Sequence, residues 1–257
     1  MSEFSGKAGL VIGVANKRSM AWAIARAVAG AGARLALTYQ GERLEENVRE
    51  LSAELTDAVV LPLDVTSDEQ IEAVAARCRD EFGGLDFLVH GAAFAPREEI
   101  TRPFLDTSRD GFRVALDISA YSLVAVTRAV APLMDTRGGG SVLTLTYLGS
   151  QRVFPNYNVM GVAKAALESS VRYLAAELGP RNIRVNAVSA GPIKTLAAAG
   201  IGGFSGILQV YRERAPLKRN TETSEVADAA RFLLGPGGRG IAGEILTVDG
   251  GYSAMGL

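Results

Sequence analysis

Cysteine is almost absent: Cys78 stands alone in 257 residues, so no intrachain disulfide can form and a reducing compartment is expected. Histidine is as scarce. His90 is the only one, and without a His/Cys set no metal site is expected. Long apolar runs are also missing. The stretch Ala8 to Ala15 is too short to cross a bilayer and Lys17-Arg18 ends it, so no membrane partner is expected. No basic segment precedes a cleavable apolar one, which predicts no signal peptide and a cytoplasmic location. Neither sign of charge dominates, with 27 basic against 28 acidic residues. That balance argues against nucleic acid, or an anionic lipid surface, as a partner.

What is present is a rhythm. Short apolar runs recur at Gly9-Leu10-Val11-Ile12, Arg34 to Thr38, Ala58 to Leu61, Phe87-Leu88-Val89, Ser141 to Leu145, Ile183 to Val188 and Glu244 to Val248. Between them lie stretches of helical period, among them Ala21 to Ala31, Glu42 to Leu55, Asp68 to Phe82 and Lys164 to Leu178. Strands apolar along their whole length suit a sheet buried on both faces, and strand–helix alternation implies parallel order. No low-complexity linker or repeat divides the chain, and Gly138-Gly139-Gly140 reads as a turn before a strand. The expectation is an α/β fold: one doubly wound domain over 1–257, with helices on both faces.

The first strand and helix suggest a nucleotide. Gly13 follows Leu10-Val11-Ile12, and Ser19 stands where a helix N-cap belongs, before Met20-Ala21-Trp22. A glycine lets the backbone approach a pyrophosphate, and amides at a helix start attract one. The Gly-x-Gly-x-x-Gly fingerprint is missing, so an ordinary strand–helix turn stays open at this point. Gln40 ends the second strand, roughly 20 residues on, where a carboxylate often holds the adenosine ribose. Arg43 can attract a 2′-phosphate or simply be solvated, and the reading leans to NADH over NADPH. Asp64, before Val65, can accept from an adenine amino group or cap the next helix.

Tyr157 and Lys164 are seven residues apart, close to two helical turns, so on a helix both project from one face. An ammonium near a phenol favours the phenolate and lowers its pKa. Such a pair can stabilise an oxygen that gains charge while hydride moves elsewhere. Tyr147 lies ten residues upstream.

Together, Gly13 with Ser19, Asp64-Val65, His90-Gly91-Ala92-Ala93, Tyr157-x6-Lys164 and Ala190-Gly191-Pro192-Ile193-Lys194-Thr195 resemble the short-chain dehydrogenase/reductase superfamily. Within it the chain resembles the enoyl-acyl-carrier-protein reductases of bacterial fatty acid synthesis. The Gly-x5-Ser turn, Tyr39-Gln40, Tyr147 paired with Tyr157, Asp117-Ile118-Ser119 and Val248-Asp249-Gly250-Gly251-Tyr252 carry that narrower likeness, from Leu10 to about Ser253. The resemblance implies a Rossmann-like sheet of about seven parallel strands and a homotetramer. It implies NADH-dependent reduction of a trans-2-enoyl thioester carried by acyl-carrier protein. Tyr157, Lys164 and Tyr147 would be the catalytic set. Gly13, Ser19, Met20, Gln40, Asp64, Val65, Gly91, Ala92, Lys164, Ile193 and Thr195 would bind the cofactor. A lid at about 194–214 would place Leu196, Ile201, Phe204 and Ile207 on the acyl chain, with Ala95, Tyr147, Tyr157 and Met160.

His90, at a strand's C-terminal end, matches a cofactor-pocket wall in the family rather than a base. Two departures stand out: Gly91-Ala92-Ala93 replaces the usual Ser-Ile-Gly, and Gly200 to Gly206 carries no basic residue for an acidic carrier, leaving Lys194, Arg152 or Arg212. A ketone-reducing relative is the alternative reading. Its usual serine thirteen residues before the tyrosine is Thr144 here.

Overall fold

The computed structural model describes residues 2–195 and 203–256. Seven strands form one parallel sheet: β1 (Ala8–Ile12), β2 (Arg34–Tyr39), β3 (Val59–Pro62), β4 (Phe87–His90), β5 (Gly140–Thr146), β6 (Ile183–Ala190) and β7 (Ile245–Val248). Their spatial order is β3-β2-β1-β4-β5-β6-β7. The chain runs outward from β1 to β3, then returns to place β4 beside β1. This reversal opens a crevice beyond the carboxyl ends of β1 and β4, the usual ligand position in open parallel sheets.

Alternate strand residues feed two cores, as a sheet covered on both faces requires. On one face Leu10, Ile12, Leu88, Val142 and Val185 pack under α3 (Asp68–Phe82), α6 (Ser122–Asp135) and α7 (Asn158–Leu178). On the other, Val11, Leu35, Leu37, Val89 and Val188 pack under α1 (Met20–Gly30), α2 (Glu42–Ser52) and α9 (Thr223–Leu234). The sheet and the helices on both its faces match the sequence expectation.

The remaining helices frame the site. α4 (Arg97–Thr101) follows β4, and α8 (Phe204–Arg214) lies within the stretch read as a lid. α5 (Arg109–Leu116) runs through a π-helical turn at Asp117–Tyr121 into α6. Among the described residues, this continuous stretch, Arg109–Asp135, is the one helix long and apolar enough to cross a membrane by length and composition. Much of it is buried instead, with Leu123, Val126, Val130 and Met134 in the core.

Candidate active site

Most of the described residues selected from the sequence lie along the carboxyl edge of the sheet. Gly13 leaves β1 at φ +95°, and Gly91 leaves β4 beside it. A Cβ on Gly13 would lie 2.5 Å from the Gly91 carbonyl oxygen, and one on Gly91 would lie 2.7 Å from the Ile12 oxygen. Two backbones thus meet at the floor of the crevice with no room for a side chain. Ser19 occupies the N-cap position of α1, but its hydroxyl makes no capping bond. It turns back and donates to the Asn16 carbonyl at 2.6 Å, closing the loop after Gly13. The expected cap is therefore corrected: the hydroxyl leaves the first-turn amides of α1 to other partners.

At the next two strand ends, Asp64 accepts from the amide and hydroxyl of Thr66, at 2.9 and 2.7 Å. Burial raises its pKa, but the bonds from Thr66 and from the Gln40 side chain outweigh it and hold the carboxyl below its ordinary value. Gln40 and Asp64 therefore form one polar wall. The cap of α3 is Ser67, which accepts from the Gln70 amide, so Asp64 does not cap that helix. Arg43 is exposed on α2. Val65 is buried, Met20 packs at the margin of the core under α1, and Ala92 and Ile193 border the two cores. The Thr195 amide donates to the Ile193 carbonyl at 2.8 Å.

Tyr157, half-buried, immediately precedes α7, and Lys164, buried, lies two turns into it. The Lys164 ammonium donates to the Leu145 carbonyl at 2.8 Å. Burial lowers the Lys164 pKa to about 8, against an opposing pull from the Glu168 carboxylate one turn on. Burial also raises the Tyr157 phenol well above its ordinary range, with Tyr147 and Glu168 adding to the rise. This corrects the expectation that the ammonium lowers the phenol's pKa: desolvation is the largest influence, and both neighbouring groups act in the same upward direction. The Tyr147 ring meets Tyr157 edge to face with centroids 5.1 Å apart.

Further neighbours surround this pair, of which Phe154, Tyr211 and Glu168 carry no motif and were not read from the sequence. Phe154 lies 4.9 Å from Tyr147, and Tyr211 of α8 donates to the Tyr147 hydroxyl at 3.3 Å while stacking on Tyr252. Glu168 is buried and accepts from Thr146 at 2.7 Å and Ser150 at 2.5 Å. Ser119, in the π turn, bonds the amide and carbonyl of Phe94 at 2.9 and 3.0 Å, fixing the loop after β4. His90 is fully buried between Thr144 at 3.1 Å and Ser122 at 2.8 Å, and burial lowers its pKa to about 3. It is a neutral wall residue. Thr144 is committed to that histidine and does not stand in for a catalytic serine.

Ala95, Met160 and Tyr157 share a small apolar cluster with Ile100, Ala115 and Val159. Phe204 and Ile207 are half-buried on α8, while Leu196 and Ile201 lie outside the described residues.

A family profile described as "Enoyl-(Acyl carrier protein) reductase" matches residues 13–253. Named NADH-dependent enoyl-acyl-carrier-protein reductases of Bacillus subtilis and Bacillus cereus are 54% and 53% identical to the chain, covering 96% and 100% of both partners. The chain belongs to the enoyl-acyl-carrier-protein reductase family. A solved member from Bacillus cereus, described with NADP⁺ and indole naphthyridinone, superposes with TM-score 0.97 at 53% identity over 100% of both chains. One from Anaplasma phagocytophilum, described in complex with NAD, gives 0.95 at 45% identity, covering 100% of this chain and 97% of that one. The seven-stranded sheet of this reductase family member agrees with those folds over its full length.

Proposed function

We propose that the protein reduces the carbon–carbon double bond of trans-2-enoyl-acyl-carrier-protein thioesters with NADH, in fatty acid elongation. The observation that carries this reading is the half-buried Tyr157 beside the buried Lys164 at the carboxyl edge of the sheet, in a chain of this family.

The site suits a dinucleotide. Gly13 and Gly91 leave the crevice floor bare, and the Ser19 hydroxyl, turned back onto Asn16, leaves α1 amides to meet a pyrophosphate. Gln40 and Asp64 offer an amide and a carboxylate for the adenosine end. Lys164 has three protons, of which the Leu145 carbonyl takes one, so the others can bond ribose hydroxyls. Ile193 and Thr195 lie at the end of β6, where the family contacts the nicotinamide end.

Bound NADH supplies the hydride that reduces the β-carbon. The chain's task is to hold the oxygen that becomes negative as the enolate forms. Tyr157 donates a hydrogen bond to that thioester oxygen, and its raised pKa keeps the phenol protonated for this purpose. Lys164 keeps the surrounding potential positive, and Tyr147 adds a second donor beside the same oxygen. A preorganised donor in a dry site is typically worth about a hundredfold or more in rate. Met160, Ala95, Phe204 and Ile207 form the wall for the acyl chain.

Lys194 and Arg212 are exposed and suit an acidic carrier. Arg152 is less suited, since it is used on the Ser253 and Met255 carbonyls at the C-terminal end. A homotetramer in the cytoplasm, each subunit one domain, completes the proposal. The test is NADH oxidation with crotonyl and acetoacetyl thioesters offered in parallel. Enoyl reduction is expected, and ketone reduction without it would overturn the reading.

A further inference from the structure

Tyr147 is touched from a direction that the reaction does not by itself explain. Tyr211 comes from α8, an element far from β5 in sequence, and its hydroxyl donates to the Tyr147 oxygen at 3.3 Å. The Tyr211 side chain is almost wholly buried, and its ring lies flat on Tyr252, with centroids 3.7 Å apart and planes 15° from parallel. Phe154 lies 6.4 Å away on the same ring and 4.9 Å from Tyr147. Packing on these sides fixes where the Tyr211 hydroxyl points. A phenol has one proton to give and lone pairs to accept. With its oxygen accepting from Tyr211, Tyr147 keeps its own proton for another partner.

We infer that Tyr211 is a positioning residue for the reduction. It holds the Tyr147 hydroxyl in the orientation that donates to the substrate oxygen beside Tyr157. The inference rests on the functional reading above and deepens it. A hydrogen bond donated into a phenol oxygen stabilises the charge that builds there when the phenol donates, and chained bonds strengthen one another. The groups around Tyr147 agree in direction. Burial pushes its pKa up to about 12 with Tyr252 adding to the rise, while the bond from Tyr211 opposes both. Phe204, proposed for the acyl-chain wall, lies on α8 two turns before Tyr211 and so on the same side of that helix. One helix would then supply both a wall for the chain and the bond that aims the donor.

Tyr211→Phe keeps the ring, and with it the stack on Tyr252, while removing only the hydroxyl. With crotonyl thioester and NADH, kcat is expected to fall about five- to tenfold, the scale of one hydrogen bond, with the KM for NADH unchanged. In a Tyr147→Phe background the same change should produce no further fall, because the acceptor is already gone. An equal fall in both backgrounds, or none in the otherwise unaltered enzyme, would overturn the inference. A second readout does not depend on turnover. In enzyme labelled with ¹³Cζ-tyrosine, the Tyr147 resonance, assigned by its loss in Tyr147→Phe, should move in Tyr211→Phe. A stationary resonance would overturn the bond itself. Failure of the unaltered enzyme to reduce any enoyl thioester would sink the functional reading, while the resonance would still decide the contact.

Discussion

Tyr157 and Lys164 share one environment and respond to it in opposite ways. Burial discourages the charge of each, so the phenol holds its proton more tightly and the ammonium releases its own more easily. Tyr157→Phe should lower kcat by about a hundredfold while leaving NADH affinity nearly intact, given the proposed role of its hydroxyl on the reacting oxygen. Stopped-flow turnover and NADH titration by fluorescence check this, and Lys164→Ala should show the reverse emphasis, with weakened binding. The pH dependence follows from the lysine. Its folded pKa of about 8 lies below the ordinary lysine value of 10.5, so the ammonium is lost as pH rises through about 8. The kcat/KM for NADH, which reports the free enzyme, should decline above that pH. The charged groups around it are Glu168 and, when protonated, His90. The same lysine's contribution to stability runs the other way. Between about 8 and 10.5 the unfolded chain binds the extra proton, so this contribution rises with pH. The seven-residue spacing of Tyr157 and Lys164 made the pair legible in the sequence. Tyr211 and Glu168 were not legible, because a tyrosine or glutamate on a helix signals nothing until its burial and partner are known.

At the scale of elements, the turn after β5 and the start of α7 fit against each other through glycine. A Cβ on Gly149 would lie 2.5 Å from Cδ1 of Tyr157, and one on Gly161 would lie 2.7 Å from the Gly149 carbonyl oxygen. Gly149→Ala should consequently push the Tyr157 ring from its seat. A displacement on the order of 1 Å can cost about a hundredfold in rate, so kcat should drop sharply with little change in NADH affinity or melting temperature. Steady-state kinetics beside a thermal melt decide it, and a variant with unchanged kcat would show that the fit is loose. Asn158, at φ +37°, reinforces this junction by donating to the carbonyls of Ile100 at 3.3 Å and Arg102 at 2.6 Å. The strands were readable because residues facing both cores make them apolar throughout. The junction was not, since Gly149 and Gly161 matter through contacts across the fold. Ser19 marks the same limit: its position at the helix start was readable, but the direction of its hydroxyl was not.

For the whole molecule, the order of the strands decides where chemistry can occur. Bringing β4 back beside β1 places Gly91 against Gly13 and drives His90 into the interior. There the imidazole is neutral, its pKa lowered to about 3 first by burial and then by the Lys164 charge, with Thr144 and Ser122 as its partners. The unfolded chain takes up this proton below the ordinary histidine value of 6.5, whereas the folded chain resists until about 3. The stability contributed by the neutral ring is thus complete above the upper value and lost as pH falls towards the lower. Urea unfolding at pH 7 and pH 5 should show a larger loss for the unaltered protein than for His90→Gln, and equal losses would contradict this. The alternation of strands and helices made the layered architecture legible from the sequence, and the resemblance supplied the chemistry. On this reading Lys164 and Tyr157 converge on one dinucleotide in the β1/β4 crevice. A crystal structure of the NAD⁺ complex tests it most directly. The expected arrangement is a pyrophosphate at the start of α1, the Lys164 ammonium on the nicotinamide ribose and the Tyr157 hydroxyl beside the nicotinamide ring. A dinucleotide seated elsewhere, or a Lys164 that never touches it, would contradict the account.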